Sequence, residues 1–245
     1  MRKKSQAKKS QIVNNNTKKG EDMNIKSILS VVLVSMLSFS TAYADKPVAI
    51  SKADGPNSLE IGVSAGSGDV KFMRNQNNKN TVNPAFAKTS RPCPPFCVQP
   101  MQLRPGIETI GEQEIIHYAI MMSKGQKMPD GSEIMVIDSR TPDWVAKGMI
   151  PGAVNIPWTH LSEAKGADPI SIAEIMTEKL GAKEQNGLFY FNDAKTLVMY
   201  CNGMWCGQSP NNIKSLLKYG YPADKIKWYR GGMQNWEILG FNTVK

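Results

Sequence analysis

Cys201 and Cys206 frame the segment Cys-Asn-Gly-Met-Trp-Cys-Gly-Gln-Ser-Pro, which joins the apolar run Leu197-Val198-Met199-Tyr200 to an amphipathic stretch carrying Ile213, Leu216 and Leu217. An apolar strand thus delivers a cysteine into a tight polar loop that ends on a helix N-terminus. Main-chain N–H groups and the positive end of the helix dipole favour negative charge there, and a thiol so placed ionises more easily. Position alone makes Cys201 the candidate nucleophile and catalytic residue. The amides of Asn202, Gly203, Met204, Trp205, Gly207 and Gln208 form a candidate anion cradle, with Gly203 and Gly207 free to turn their N–H groups inward. Cys206 is a candidate resolving thiol that would convert a Cys201 persulfide or sulfenate into a disulfide. A loop-modulating role, or a structural or inert thiol, are its alternatives. Trp205 beside it is a candidate substrate wall.

The loop from Cys201 to Gln208 holds no Lys or Arg. A cysteine phosphatase needs a guanidinium fork for the phosphoryl oxygens, so that chemistry is set aside. Binding of a dianionic substrate should also be weaker without a loop cation. Arg230, at the end of the next strand, is a candidate substrate contact from outside the loop, with a solvated arginine beside a turn as its alternative. Asp138 and Arg140 flank another strand end and read as a structural ion pair. His117 and His160 read as packing or surface residues, and no Cys–His dyad is legible.

Cys93-Pro-Pro-Phe-Cys97 cannot start a helix as a thioredoxin-type motif does. It reads as a small stapling disulfide, with a thiol relay docked on the Cys201 loop as the lesser alternative. Zinc is not expected, because four ligands would require both cysteine pairs to converge and lock the nucleophile. No metal or organic cofactor is implied.

The elements that must position these groups alternate. Glu112 to Met122 places Ile115, Ile116, Ala119 and Ile120 on one helical face, and Ile134 to Ile137 is a continuous apolar run suited to a buried parallel strand. Thr141 and Pro142 open a helix. Ser171-Ile-Ala-Glu174 reads as a capping box, and Gly181 ends that helix. Leu197 to Tyr200 and Ile226 to Tyr229 are further strands; Ser209 is expected to cap one helix, and Met233 to Leu239 is the last. This alternation predicts an α/β fold, a parallel sheet flanked by helices on both faces, with functional loops at the carboxyl ends of its strands.

Charge is concentrated at the start. Residues 1–44 carry eight Lys or Arg against two acids, whereas residues 45–245 carry 22 against 19. The formal net charge of +9 is therefore mostly an N-terminal effect, and it argues against a nucleic-acid partner. Lys26, the apolar run from Ile28 to Phe39 and Ala42-Tyr43-Ala44 form a secretory pattern, too short for a membrane span. Residues 1–22 read as a disordered leader or a mis-assigned start before Met23, and 23–44 as a signal peptide. Residues 45–105 read as an irregular N-terminal arm with Cys93 and Cys97, Leu59 to Val63 being a candidate short strand. Residues 106–245 form the α/β domain. The expected location is the periplasm, without stable membrane insertion after cleavage.

Val136-Ile-Asp138-Ser-Arg140-Thr-Pro-Asp-Trp144, followed by Gly148-Met-Ile-Pro151-Gly152-Ala153-Val-Asn155-Ile-Pro157, resembles the first signature of the rhodanese-like domain. Tyr200-Cys201, the loop, Tyr229-Arg230-Gly231-Gly232 and Trp236 resemble its active-loop half, and the likeness spans about residues 107–245. It implies a sulfurtransferase with Cys201 as the sulfur-carrying nucleophile, and a small sulfur donor and a thiol acceptor (a protein among the options) as partners. Met149 stands where the family usually has His, the loop is longer than the common form, and Gln208 falls near the usual arginine. Two alternatives stay open: a thiol–disulfide or sulfur-relay redox protein using Cys201 and Cys206, and a non-catalytic periplasmic binding module.

Overall fold

The computed structural model describes residues 61–64, 69–75 and 77–245. The leader, the signal segment and the arm up to residue 60, with the first two positions of the candidate strand Leu59 to Val63, lie outside them. In chain order the elements are β1 (Ile61–Ser64), β2 (Asp69–Phe72), β3 (Glu108–Ile110), α1 (Glu112–Ser123), β4 (Ile134–Asp138), α2 (Pro142–Val145), β5 (Val154–Asn155), α3 (Pro169–Glu174), β6 (Lys183–Gln185), β7 (Leu188–Tyr190), β8 (Thr196–Tyr200), α4 (Gln208–Lys218), β9 (Ile226–Tyr229) and α5 (Gly232–Ile238). Short 3-10 turns fill several connections, among them Pro84–Phe86.

Five strands form one sheet in the order β3-β9-β8-β4-β5, and every pairing in it is parallel. A parallel strand buried on both faces must be apolar throughout, and β8 is buried at all five positions. Alternate residues serve opposite layers, as the period of two requires. Val136, Val198, Tyr200 and Tyr229 join Ile115, Ile116, Met233 and Trp236 from α1 and α5. Ile137, Leu197, Met199 and Trp228 join Ile172, Met176, Ile213 and Leu216 from the α3–α4 side. The α/β sheet with helices on both faces is as expected.

Local details differ from expectation. Asp168, not Ser171, caps α3: its carboxylate accepts from the Ser171 N–H at 2.9 Å, with Pro169 as the first helical residue. The helix then continues as a π-helical turn over Ile175–Lys179. Ser209 lies inside α4, whose N-cap is Gly207; its hydroxyl has another partner, described below. The arm is less irregular than its composition implies. β1 and β2 pair antiparallel, and Phe72 and Phe86 are fully buried among the residues of the α1–α5 layer. Phe72 meets Trp236 edge-on at 6.0 Å, and Phe86 meets Trp144 at 5.7 Å.

Candidate active site

β8 ends at Tyr200, so Cys201 is the first residue beyond the carboxyl edge of a central strand. The loop behind it is pinned by the start of α5. Met233 N–H donates to the Cys201 carbonyl at 2.9 Å, and Gln234 N–H to the Asn202 carbonyl at 3.0 Å. Gly232 makes this approach feasible. It holds a φ of +57°, and a Cβ there would strike the Cys201 carbonyl and come within 2.7 Å of the Gly203 nitrogen. Within the loop the Cys206 N–H closes a turn on the Gly203 carbonyl at 2.9 Å.

Cys201 and Cys206 are both free thiols. The Ser209 hydroxyl donates to the Cys201 sulfur at 3.1 Å and accepts from the Trp228 indole N–H at 3.1 Å. The Cys201 thiol is itself placed to donate to the Cys206 carbonyl at 3.6 Å, and the Cys206 thiol to the Gln208 side-chain oxygen at 3.9 Å. Burial raises the Cys201 pKa, but the neighbouring Cys206, the Ser209 hydroxyl and the loop amides outweigh it and lower the thiol to about 7. Cys206 moves the opposite way: burial pushes it well up, and the neighbouring Cys201 reinforces the rise. The surroundings thus push the two thiols in opposite directions, Cys201 toward the thiolate and Cys206 toward the protonated thiol.

The expected cradle is narrower than drawn from sequence. Gly203 and Ser209 serve Cys201, while Asn202 and Gln208 direct main-chain N–H groups to Cys206. Met204 offers its carbonyl to the Gln99 N–H at 2.8 Å, and the Gly207 carbonyl begins α4 by accepting from Asn211 at 2.9 Å. Trp205 donates its indole N–H to Gln234 at 2.6 Å. The thiol is also less presented than expected. Cys201 is 2 % exposed and Cys206 3 %, and of the two only Cys206 lines the adjoining cleft.

Arg230 does not face the thiols. Its guanidinium donates twice to the Gln99 carbonyl, at 2.8 and 3.1 Å, tying the arm to the end of β9. Asp138 and Arg140 form a buried pair with contacts of 2.6 to 3.0 Å. Arg140 also donates to the carbonyls of Trp144 and Gly148 and reaches the Asn202 side chain at 3.5 Å, so the pair braces the loop. Cys93 and Cys97 are joined in a disulfide with Cα atoms 4.6 Å apart. The stapled turn lies against the loop, Phe96 meeting Trp205 edge-on at 5.7 Å. No cluster of His, Cys, Asp or Glu among the described residues could hold a metal ion, and no described helix is long and apolar enough to cross a membrane.

Two groups of residues escaped the sequence reading. Ser209 and Trp228 hold the thiol, but a serine near a helix start signals a cap and nothing else. Arg91, Phe96, Lys147 and Lys165 line the cleft beside Cys206, and no local spacing connects them to the loop.

A five-stranded parallel sheet that carries a cysteine loop at a central strand's carboxyl end, framed by Asp138, Arg140 and the Arg-Gly-Gly turn, defines the class. Residues 122–239 match the model of the rhodanese-like domain, and this stretch of the chain is such a domain. Among solved structures, the chain is similar to a protein from Rhodopseudomonas palustris described as a possible tyrosine phosphatase, at 22% identity over 58% of this chain and 88% of that one, with a TM-score of 0.38. It is similar to a human single-domain sulfurtransferase at 21% identity, covering 52% of this chain and 93% of that one, with a TM-score of 0.30. A rhodanese-related protein from Thermoplasma volcanium shares 17% identity over 56% and 97% of the two chains, with a TM-score of 0.29. No curated protein matches the chain.

Proposed function

We propose that this protein is a sulfurtransferase that carries sulfane sulfur as a persulfide on Cys201. The supporting observation is the place of the Cys201 sulfur, in the loop just beyond the carboxyl end of β8 with the Ser209 hydroxyl donating to it at 3.1 Å. A thiolate at that position attacks the outer sulfur of a donor such as thiosulfate. The donor's S–S bond breaks, sulfite leaves with the bonding pair, and Cys201 keeps the sulfur as an anionic persulfide. An acceptor thiolate then attacks the outer sulfur and regenerates the Cys201 thiolate. The donors that stabilise the resting thiolate are equally suited to a persulfide anion. Cys201→Ser should abolish sulfur transfer from thiosulfate and from organic persulfides, followed as thiocyanate or sulfide production. Equal turnover by wild type and the serine variant across these donors refutes the reading.

A second reading draws on the contact between Cys206 and Cys201. A Cys206 thiolate attacking the inner sulfur of a Cys201 persulfide would form the intraloop disulfide and release hydrosulfide, an external dithiol then resetting the pair. Mass analysis of the intact protein with and without reductant separates the two: an added sulfur supports the first, a reducible Cys201–Cys206 bond the second. An inert thiol pair that neither gains sulfur nor oxidises would support the binding-module alternative, which the burial of Cys201 favours.

We also propose that the protein is exported. The pattern from Met23 to Ala44 and the stapled Cys93–Cys97 pair support this, and N-terminal sequencing of the mature protein tests it. A mature chain beginning before residue 45 removes the basis for cleavage there.

A further inference from the structure

The cleft beside the loop has a volume of about 660 Å³ and is bounded on one side by the arm, from Pro84 to Phe96, and on the other by the loop and the start of α4. Its lining is unusual in composition. Four basic side chains border it, Lys88 and Arg91 from the arm and Lys147 and Lys165 from the sheet domain, and no carboxylate does. None of the four pairs with an acid among the described residues. Three of them are held at aromatic rings that also line the cleft. The Arg91 guanidinium lies 3.6 Å from the centre of the Trp205 ring, Lys147 lies 3.9 Å from that of Trp144, and Lys165 lies 5.4 Å from that of Trp158. The Trp158 indole N–H is buried without an acceptor among the described residues.

Each part of this lining has a physical meaning. Uncompensated cations in a concave, partly apolar site concentrate anions. Cation–aromatic pairs hold those charges in fixed places and leave flat apolar faces between them. A small inorganic anion would leave most of the space empty, whereas sites of this size suit organic ligands. Cys206 lies in the wall, so an anion seated here adjoins the loop that carries Cys201.

We infer that this cleft, completed by the arm through Arg91 and Phe96, binds an organic anion with a flat apolar body. The arm thereby supplies the positive charge that the loop lacks. Assigning that anion as the sulfur donor, an organic thiosulfonate in place of inorganic thiosulfate, rests on the sulfurtransferase reading above; the binding site itself does not. For such a donor Cys201 thiolate attacks the outer sulfur, the S–S bond breaks, and an organic sulfinate departs with the electron pair as the persulfide forms. The leaving sulfinate is itself an organic anion of the kind the cleft holds.

Binding is tested without turnover, in the full-length Cys201→Ser protein, by titration calorimetry with three unreactive probes. These are 2-naphthalenesulfonate, methanesulfonate and the uncharged 2-naphthylmethanol. The expected result is at least tenfold tighter binding of 2-naphthalenesulfonate than of either other probe. Arg91→Gln should weaken it about tenfold, and Lys147→Gln, at an exposed position that cannot unfold the core, severalfold. Lys179→Gln, outside the cleft, should leave it unchanged. Equal affinity for all three probes overturns the inference, as does unchanged binding in both the Arg91 and Lys147 variants. Wild-type protein that transfers no sulfur but discriminates among the probes keeps the cleft and removes the enzymatic reading. Transfer from thiosulfate without discrimination does the reverse.

Discussion

At the residue scale the chemistry turns on how a buried thiol becomes an anion. Burial alone would protonate Cys201, and the Ser209 hydroxyl, the loop amides and the neighbouring Cys206 pull its pKa back down. A thiol is an acid, so its lowered value means that the thiolate predominates above about pH 7 and is lost as the pH falls below it. The rate of Cys201 alkylation by iodoacetamide, measured in the Cys206→Ser protein, should therefore rise with pH through a midpoint near neutrality. Ser209→Ala removes a donor to an ionised acceptor, an interaction of about 1.5–3 kcal/mol, and should raise that midpoint by about one to two pH units. An unshifted midpoint in Ser209→Ala would show that the hydroxyl does not support the thiolate. Cys201 was legible because strand, loop and helix are consecutive in sequence. Ser209 was misassigned because its real partners, Cys201 and Trp228, are chosen by the packing of β8, α4 and β9.

At the element scale the loop is shaped by its neighbours as much as by its own residues. The start of α5 donates to two loop carbonyls, and Gly232 permits it by occupying a left-handed conformation against the Cys201 carbonyl. Gly232→Ala should destabilise the protein by at least about 1–3 kcal/mol from backbone conformation alone, lower Tm and shift the Cys201 alkylation midpoint. A variant with wild-type Tm and midpoint would show that the approach is relaxed. The long strands and α1, α4 and α5 were readable from apolar runs and helical periodicity. The β6–β7 hairpin was missed although its turn is Asn186-Gly187, both at positive φ, the strongest short-range hairpin signal. Its strands are mostly exposed, so no hydrophobic alternation drew attention to it. β3 and β5, of three and two residues, are too short to carry a pattern.

At the scale of the whole molecule the arm is part of the core. Phe72 and Phe86 come from a segment whose Gly, Asn and Pro content resembles a loop, yet both are buried against Trp236 and Trp144. Phe72→Ala or Phe86→Ala should each cost about 3–5 kcal/mol, read as a lower denaturant midpoint in a single cooperative transition. A change below about 0.5 kcal/mol, the range of ordinary surface substitutions, would show the arm to be an appendage. Composition hid this packing because its contacts are long-range: Phe72 lies far along the chain from Trp236, and no local window joins them.

The clasp formed by Gln99, whose amide meets Met204 and whose carbonyl meets Arg230, separates two tasks along the polypeptide. On the proposed reading, reactivity would reside in the β8–α4 turn, and selectivity would be shared between the domain and the stretch before it. Substitutions between residues 84 and 99 would then change which molecules dock and leave the proposed sulfur chemistry as it is.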